Sequence, residues 1–510
     1  MPTFVDVLRR LAEPRHGLWL AGAAGASVSY AELGALVRGN ARRFAAHGVG
    51  RGTRVAIAID SDLEHVVALL ALIALGAVPM SVKPRRGADD DGHRDGLRRL
   101  VARYGIERAY HTLPELGVPT LAWDARATSA DDRVYAEVTA DDLCLVQFSS
   151  GSLGDPKPVP IRHGSLCANL DAIVALDGRH AETWCWSFLP LSHDMGLIGG
   201  LLSNLAAGNP TYLSTPHGFL RRPTEFLEWS AGRDAGAAMP DFAIRYLVRY
   251  LAARGARADG RLLAGLRSVY CGAEPIRRET IAGLVDAAAR WGFAPDALIP
   301  CYGMAEATLI VTAGRFRSLA RDFTAAANGR QIACVGRPVP ATEVVVGARG
   351  ADGAPVPVAD GVEATVFVRG PGVCAGYLDQ PAFAGGWHDT GDAGMVRAGE
   401  LYITGRVKDL IIVNGENLFP HDIEAVVLRE AGVRDCMVMS EDDRFFVVIV
   451  PTPNASPALA AVSARIAERF GAAPAAITLG ATAELVRTTS GKPMRQVTLD
   501  ALRHRLAPPA

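Results

Sequence analysis

Apolar and polar positions along this chain follow two periods that take turns. "SYAELGALVRGNARRFAAHG" sets its apolar residues at helical spacing and stops at Gly48, and "TRVAIAI" follows as a buried strand. The most apolar run is "VVALLALIALGAVPMSV", Val66 to Val82. A membrane helix needs about 20 apolar residues. Gly76 and Pro79 interrupt this run, so it predicts a buried helix ending near Gly76 and then a short strand. "DDLCLVQFSS" predicts another strand, "SLCANLDAIVALDG" another helix, and "LRSVYCGAE" a strand entering a turn. This alternation argues for α/β layers with largely parallel strands. Beyond about residue 330, β-branched runs broken by Gly and Pro take over, in "TEVVVGARGADGAPVP" and "GVEATVFVRGP".

The end of the chain reads as a separate, small α+β unit. "DIEAVVLRE" is an amphipathic helix, and "DCMVMS" and "RFFVVIVP" are strands joined by the acidic turn Glu441-Asp442-Asp443. "ALAAVSARIAERFG" is a second helix. "PRRGADDDGHRDG", Pro84 to Gly96, reads as a solvated charged loop.

Composition narrows the function classes. At 510 residues the chain exceeds the size at which one core keeps growing, so at least two domains are expected. A net charge of −1 gives no general attraction to nucleic acid or anionic membrane, so any anion site must be local. The eight cysteines show no CxxC pair and no His/Cys ligand spacing, which fits reduced thiols better than disulfides or zinc. The opening "MPTFVDVLRRLAEPRHG" lacks a signal-like apolar stretch, and a cytoplasmic protein without a membrane span is expected.

One stretch asks for a ligand. "LVQFSSGSLGDPKPVPIRH" packs three hydroxyls, two glycines and one lysine between Ser149 and Lys157, directly after an apolar strand. Backbone N–H groups, hydroxyls and an ammonium all favour phosphate, although an ordinary Ser/Gly turn has the same composition. The spacing is not that of a P-loop, and GxGxxG, GxSxG and HExxH are missing from the sequence.

The loop resembles the phosphate-binding signature [ST]SG[ST]TGxPKG of the acyl-adenylate-forming superfamily, which includes acyl-CoA synthetases, peptide-synthetase adenylation domains and firefly luciferase. Four further stretches match that superfamily in the same order: "YGMAEAT", "WHDTGDAG", "GRVKDLIIVNGENLFPHDIE" and "TTSGKPMR". "LPLSHDMGLIGG", "MPDFAIRY", "CGAEPIRRETI" and "PHDIE" are most similar to the fatty acyl-AMP ligase branch. The resemblance implies an N-terminal nucleotide- and acid-binding domain, residues 1–407, built of several layered subdomains. It also implies a mobile C-terminal lid, residues 408–510, hinged at Lys408.

The resemblance further implies the site. Ser149, Ser150, Gly151, Ser152, Gly154 and Lys157 would hold the β- and γ-phosphates of ATP. Glu306, with Ser149, would hold Mg²⁺, which usually keeps few protein carboxylates beside phosphate oxygens. Adenine would lie between Gly272-Ala273-Glu274 and the segment Cys301-Tyr302-Gly303-Met304, with Asp392 and Arg406 at the ribose. Lys492 would be the catalytic cation, set between carboxylate and α-phosphate. His193 would gate the acyl tunnel, and Met239 and Phe242 would line the acid pocket. The substrate would be a fatty or other hydrophobic acid, and the acceptor a thiol on CoA or on the phosphopantetheine of an acyl carrier protein.

Two residues depart from the signature: Leu153 stands for a threonine, and Pro158 for a glycine. The segment from Thr312 to Gln331, where this branch carries an inserted element, is short. Three readings therefore stay open beside full acyl transfer: an enzyme that stops at acyl-AMP, a phosphotransferase using the same loop, and a catalytically decayed nucleotide- or acyl-binding protein.

Overall fold

The computed structural model describes residues 2–11, 17–20, 27–59, 62–82, 91–110, 116–149, 157–254, 261–325, 331–413, 416–441, 444–487 and 493–506. Nine described strands form the largest sheet, and its centre is parallel. Trp184–Ser187, Ala235–Ala238, Leu266–Cys271 and Leu298–Gly303 lie side by side in one direction. Antiparallel strands close both edges, Ser27–Ser29 at one and Ile310–Ala313 with Arg337–Pro338 at the other. A second, five-stranded sheet has the order Arg108–Tyr110, Arg54–Ile57, Val78–Ser81, Leu143–Ser149, Lys157–Arg162, with only its last pair antiparallel. The parallel interior is the doubly covered arrangement that near-continuous apolar strands favour. The helix Leu63–Ala74 is buried from His65 to Ala74, and the strand Val78–Ser81 is buried throughout.

A third sheet, antiparallel throughout, carries Pro355–Pro357, Glu343–Arg349, Ala364–Arg369, His388–Arg397 and Glu400–Arg406. Beyond it, residues from Ile411 to Leu506 gather two apolar clusters of their own, on either face of the strands Val433–Glu441 and Arg444–Pro451. Among the described residues, no helix is long and apolar enough to cross a membrane.

Three details depart from or refine the sequence reading. The charged stretch expected as a loop is helical from Asp91 to Arg103; residues 84–90 lie outside the described residues. Leu97 is buried and Leu100 and Val101 pack against the core, an i, i+3, i+4 stripe masked by Gly92, Gly96 and the aspartates. Pro158 falls on the outermost strand of its sheet, where a missing N–H breaks no interior ladder, and its carbonyl accepts the Leu378 N–H at 2.9 Å. After His193 the chain winds as a π-helix, Met195–Leu202, with no counterpart in the sequence reading. Its glycines sit against neighbours: a β-carbon at Gly200 would stand 2.3 Å from Ser187 Oγ.

Candidate active site

The carboxyl ends of parallel strands are where open α/β sheets receive ligands. Here the ends of Leu266–Cys271 and Leu298–Gly303 approach so closely that a β-carbon at Gly272 would stand 2.8 Å from the Cys301 carbonyl oxygen. The next residue, Ala273, adopts φ +68°, a left-handed conformation that is uncommon outside glycine. Glu274 then turns inward and accepts the Phe242 N–H at 2.6 Å. Burial raises its carboxyl above the usual range, while the Phe242 N–H, Arg277 and Arg245 work the other way. Cys301 donates its thiol to the Cys271 carbonyl at 3.4 Å, and burial pushes that thiol up to about 12. Met239 directly follows the neighbouring strand Ala235–Ala238 and is buried, in the same apolar cluster that Phe242 packs against.

Tyr302, Asp392 and Arg406 form one trio. The Tyr302 hydroxyl donates to Asp392 Oδ2 at 2.6 Å, and Arg406 Nε lies 2.7 Å from Asp392 Oδ1. Asp392 and Arg406 are register partners across His388–Arg397 and Glu400–Arg406, so the ladder itself delivers the pair. The Asp392 N–H is fixed by Thr390 Oγ1 at 3.0 Å. Burial raises the Tyr302 phenol well above its usual value, and Asp392 adds to that. Arg406 is held above an ordinary arginine: burial opposes its charge, but Asp392, Tyr302 and Glu306 outweigh it.

Glu306, Tyr377 and Lys157 form a second trio. Glu306 lies in the single turn Ala305–Ala307 and is 8% exposed. Its Oε1 accepts the Tyr377 hydroxyl at 2.9 Å, and Lys157 Nζ sits 4.8 Å from the Tyr377 ring centre. Two residues after Glu306, Thr308 takes φ +65°, strained for a β-branched residue. That turn is clamped: Thr308 Oγ1 donates to the Gly372 carbonyl at 2.7 Å, and Asn169 Nδ2 donates to the carbonyls of Ala307 and Ile310 at 3.2 and 3.0 Å. Lys157 is the register partner of Ser149, and the two flank the Ser/Gly-rich stretch in sequence. Ser150, Gly151, Ser152, Leu153 and Gly154 lie outside the described residues, as does the Ser149 side chain.

Lys408, in the turn Val407–Asp409, joins these groups electrostatically. Partial burial lowers its ammonium, Arg406 and Lys157 lower it further, and Asp409 opposes them. Lys492 lies outside the described residues, but the flanks of its loop are placed. Arg487 and Pro493 form an antiparallel bridge, and the Met494 N–H donates to the Val486 carbonyl at 2.9 Å. Arg495 is a half-buried ion-pair partner of Glu424, with Nη2 at 3.2 Å from Oε2, so the chain just after Lys492 is anchored to the helix Pro420–Val427. His193 stands before the π-helix with Nδ1 2.7 Å from Asp194 Oδ1, and its neighbours Leu189 and Met195 belong to the apolar cluster of Met239.

Asn169, Tyr377 and Arg495 were not singled out by the sequence. Arg495 closes "TTSGKPMR" and Glu424 closes "PHDIE", so both lay inside quoted motifs; Tyr377, in "CAGYLDQP", and Asn169 lay outside them. A resident Mg²⁺ fits the donor set: one buried carboxylate whose Oε2 has no hydrogen-bond partner among the described residues. No group of three His, Cys, Asp or Glu able to cage a metal gathers among the described residues, as suits an ion held mainly by phosphate and water.

Residues 12–378 match the AMP-binding enzyme family. A putative acyl-CoA synthetase of Caulobacter vibrioides is 32% identical over 467 residues, covering 80% of this chain and 78% of its own. A medium-chain-fatty-acid–[acyl-carrier-protein] ligase of Teredinibacter turnerae is 30% identical over 425 residues, covering 73% and 65%. A solved structure from a study of fatty acyl-adenylate ligases of E. coli and L. pneumophila superposes with a TM-score of 0.84 at 26% identity, over 100% of this chain and 99% of the other. With a match of that extent, and the adenylate-forming fold of a large N-terminal and a small C-terminal domain, this chain belongs to the AMP-binding enzymes.

Proposed function

We propose that this enzyme activates a fatty or other hydrophobic carboxylic acid with MgATP as acyl-AMP, releasing pyrophosphate, and then passes the acyl group to a thiol. The observation that carries the reading is the pair of carboxylate–tyrosine–cation trios. Asp392 offers acceptors suited to ribose hydroxyls, while Glu306 and Lys157 offer a metal ligand and a phosphate cation at the root of the phosphate loop.

In the first step a carboxylate oxygen attacks the α-phosphorus, the bond to the bridging oxygen breaks, and its electron pair leaves with pyrophosphate. Bound with the triphosphate, the magnesium ion would neutralise charge on the phosphate oxygens. Carboxylate and triphosphate repel, so the chain must supply oriented positive charge. Lys157 would do so at the terminal phosphates. Lys492 would do so between the two reactants, carried there by a lid of residues 408–510 that turns about Lys408. The Arg495–Glu424 pair would hold that lysine's loop to the body of the lid. Met239 and Phe242 would line the acid pocket, with His193 at its mouth. The acceptor would be CoA or an acyl carrier protein, in line with the names of the Caulobacter and Teredinibacter relatives, its thiol that of a phosphopantetheine in the second case, and the compartment would be the cytoplasm.

Acid-dependent exchange of pyrophosphate into ATP, run over a panel of acids, tests the reading; a phosphotransferase would instead release ADP. At about 4 Å and an effective dielectric near 20, opposite unit charges attract by ~4 kcal/mol. Lys492→Ala should therefore lower exchange by about 10³-fold while largely sparing thiol transfer from supplied acyl-AMP. Equal loss of both steps would contradict the assigned role.

A further inference from the structure

We infer that Tyr377 is a positioning residue for the metal–phosphate end of this site, its side chain fixing Glu306 so that Oε2 faces the magnesium ion of MgATP while its ring seats Lys157. The inference rests on the MgATP reading above and adds a residue that lies outside every motif quoted for it.

Both ends of the tyrosine are in use. The hydroxyl donates to Glu306 Oε1 at 2.9 Å, across 71 positions of sequence, and the ring face receives Lys157 Nζ at 4.8 Å from its centre. The ring is held edge-on by Phe383 at 5.6 Å and 84° and by His388 at 6.5 Å and 86°. Its backbone is tied on both sides: the Cys374 N–H donates to the Glu306 carbonyl at 2.8 Å, and the Leu378 N–H to the Pro158 carbonyl at 2.9 Å. The segment 374–378 thus bridges the carboxylate turn and the strand that begins with Lys157. Neither charged group can shift far without moving the phenol that the other one uses.

Packing alone does not account for this residue. A phenylalanine would fill the same space between Phe383 and His388 and would still offer Lys157 a ring face. Only the hydroxyl reaches Glu306, a carboxylate that is 8% exposed and has no other side-chain hydrogen bond among the described residues. Partners that hydrogen-bond to a metal ligand set its orientation, and their loss typically costs about 10–100-fold in metal affinity. With one oxygen engaged by the phenol, the other is left to the ion in a defined direction. Lys157 rests on the ring, and Glu306 makes no direct ion pair among the described residues.

The test compares the full-length protein with Tyr377→Phe and Tyr377→Leu. ATP binding is measured by calorimetry in excess Mg²⁺ and again in EDTA, and Mn²⁺ bound with ATP is counted by electron paramagnetic resonance. Tyr377→Phe should weaken MgATP and Mn²⁺ binding about 10-fold and leave metal-free ATP binding unchanged. Tyr377→Leu, which also removes the seat of Lys157, should weaken ATP in EDTA as well. A phenylalanine variant that loses affinity equally with and without metal, or in neither condition, overturns the inference. Wild-type exchange activity separates the two levels. Its absence over a broad acid panel sinks the adenylation reading. Wild-type exchange, together with an unaltered magnesium response in Tyr377→Phe, sinks only the role of Tyr377.

Discussion

Two carboxylates in this site each receive a tyrosine hydroxyl and stand near a basic side chain, yet they are built in opposite ways. Asp392 takes its cation directly, with Arg406 Nε at 2.7 Å, and both residues come from neighbouring strands of one antiparallel sheet. Glu306 takes its cation indirectly: Lys157 stands on the tyrosine ring, and the three partners come from a turn, a loop and the edge of another sheet. A direct ion pair offsets the carboxylate's charge and leaves it an acceptor suited to hydroxyls. Without a direct ion pair, the Glu306 carboxylate keeps an open oxygen, suited to a divalent ion. Under the function proposed, similar residue types would give a sugar contact in one place and a metal contact in the other.

The largest effect is expected where that difference is erased. Glu306→Gln keeps an acceptor for the Tyr377 hydroxyl and removes the charge, and a metal's stabilisation of phosphate charge is worth several kcal/mol. Acid-dependent exchange should fall by about 10³-fold and recover in part as Mg²⁺ is raised. An intermediate effect is expected at the other trio. Asp392→Asn breaks the direct ion pair to Arg406, and hydrogen bonds to charged groups contribute about 1.5–3 kcal/mol. Exchange should drop about 10–100-fold through the KM for ATP, with no response to added Mg²⁺. If magnesium rescued both variants alike, the two trios would not differ in kind.

Much of the scaffold was legible because its periods are strong. The apolar helix at Leu63–Ala74 and the strands of the parallel interior follow from runs of Val, Ile, Leu and Ala that neither a loop nor a surface helix would tolerate. The helix Asp91–Arg103 was not, because two glycines and two acids in its first turns outweigh its short apolar stripe when read locally. The π-helix Met195–Leu202 depends on what its glycines touch, which no periodicity records. The site divides the same way. Tyr302, Glu306, Asp392 and Arg406 stand within contiguous motifs and could be read by resemblance. Asn169 clamps the Glu306 turn from 138 residues away, so nothing local marks it. Arg495 was quoted as a motif letter, but its half-buried pairing with Glu424 needed three dimensions.

The smallest effect should come from the residue that resembles Tyr377 in chemistry and differs in circumstance. Tyr302→Phe removes the 2.6 Å hydrogen bond to Asp392 but leaves Arg406 Nε on the same carboxylate. Asp392 is therefore not left unpaired, and the loss should stay near the ~1 kcal/mol of an ordinary net hydrogen bond, a few-fold in exchange. Because burial and the adjacent carboxylate both disfavour the tyrosinate, the phenol of Tyr302 keeps its proton well above the ordinary tyrosine range. The wild-type to Tyr302→Phe activity ratio should then be flat from about pH 7 to 9, since an unperturbed phenol titrates only near pH 10. Convergence of the two profiles within that window would mean that the hydroxyl ionises there, which a proton held by Asp392 forbids. A flat ratio at Tyr302 beside a magnesium-dependent loss at Tyr377 would separate a tyrosine supporting an already ion-paired carboxylate from one aiming a carboxylate at a metal.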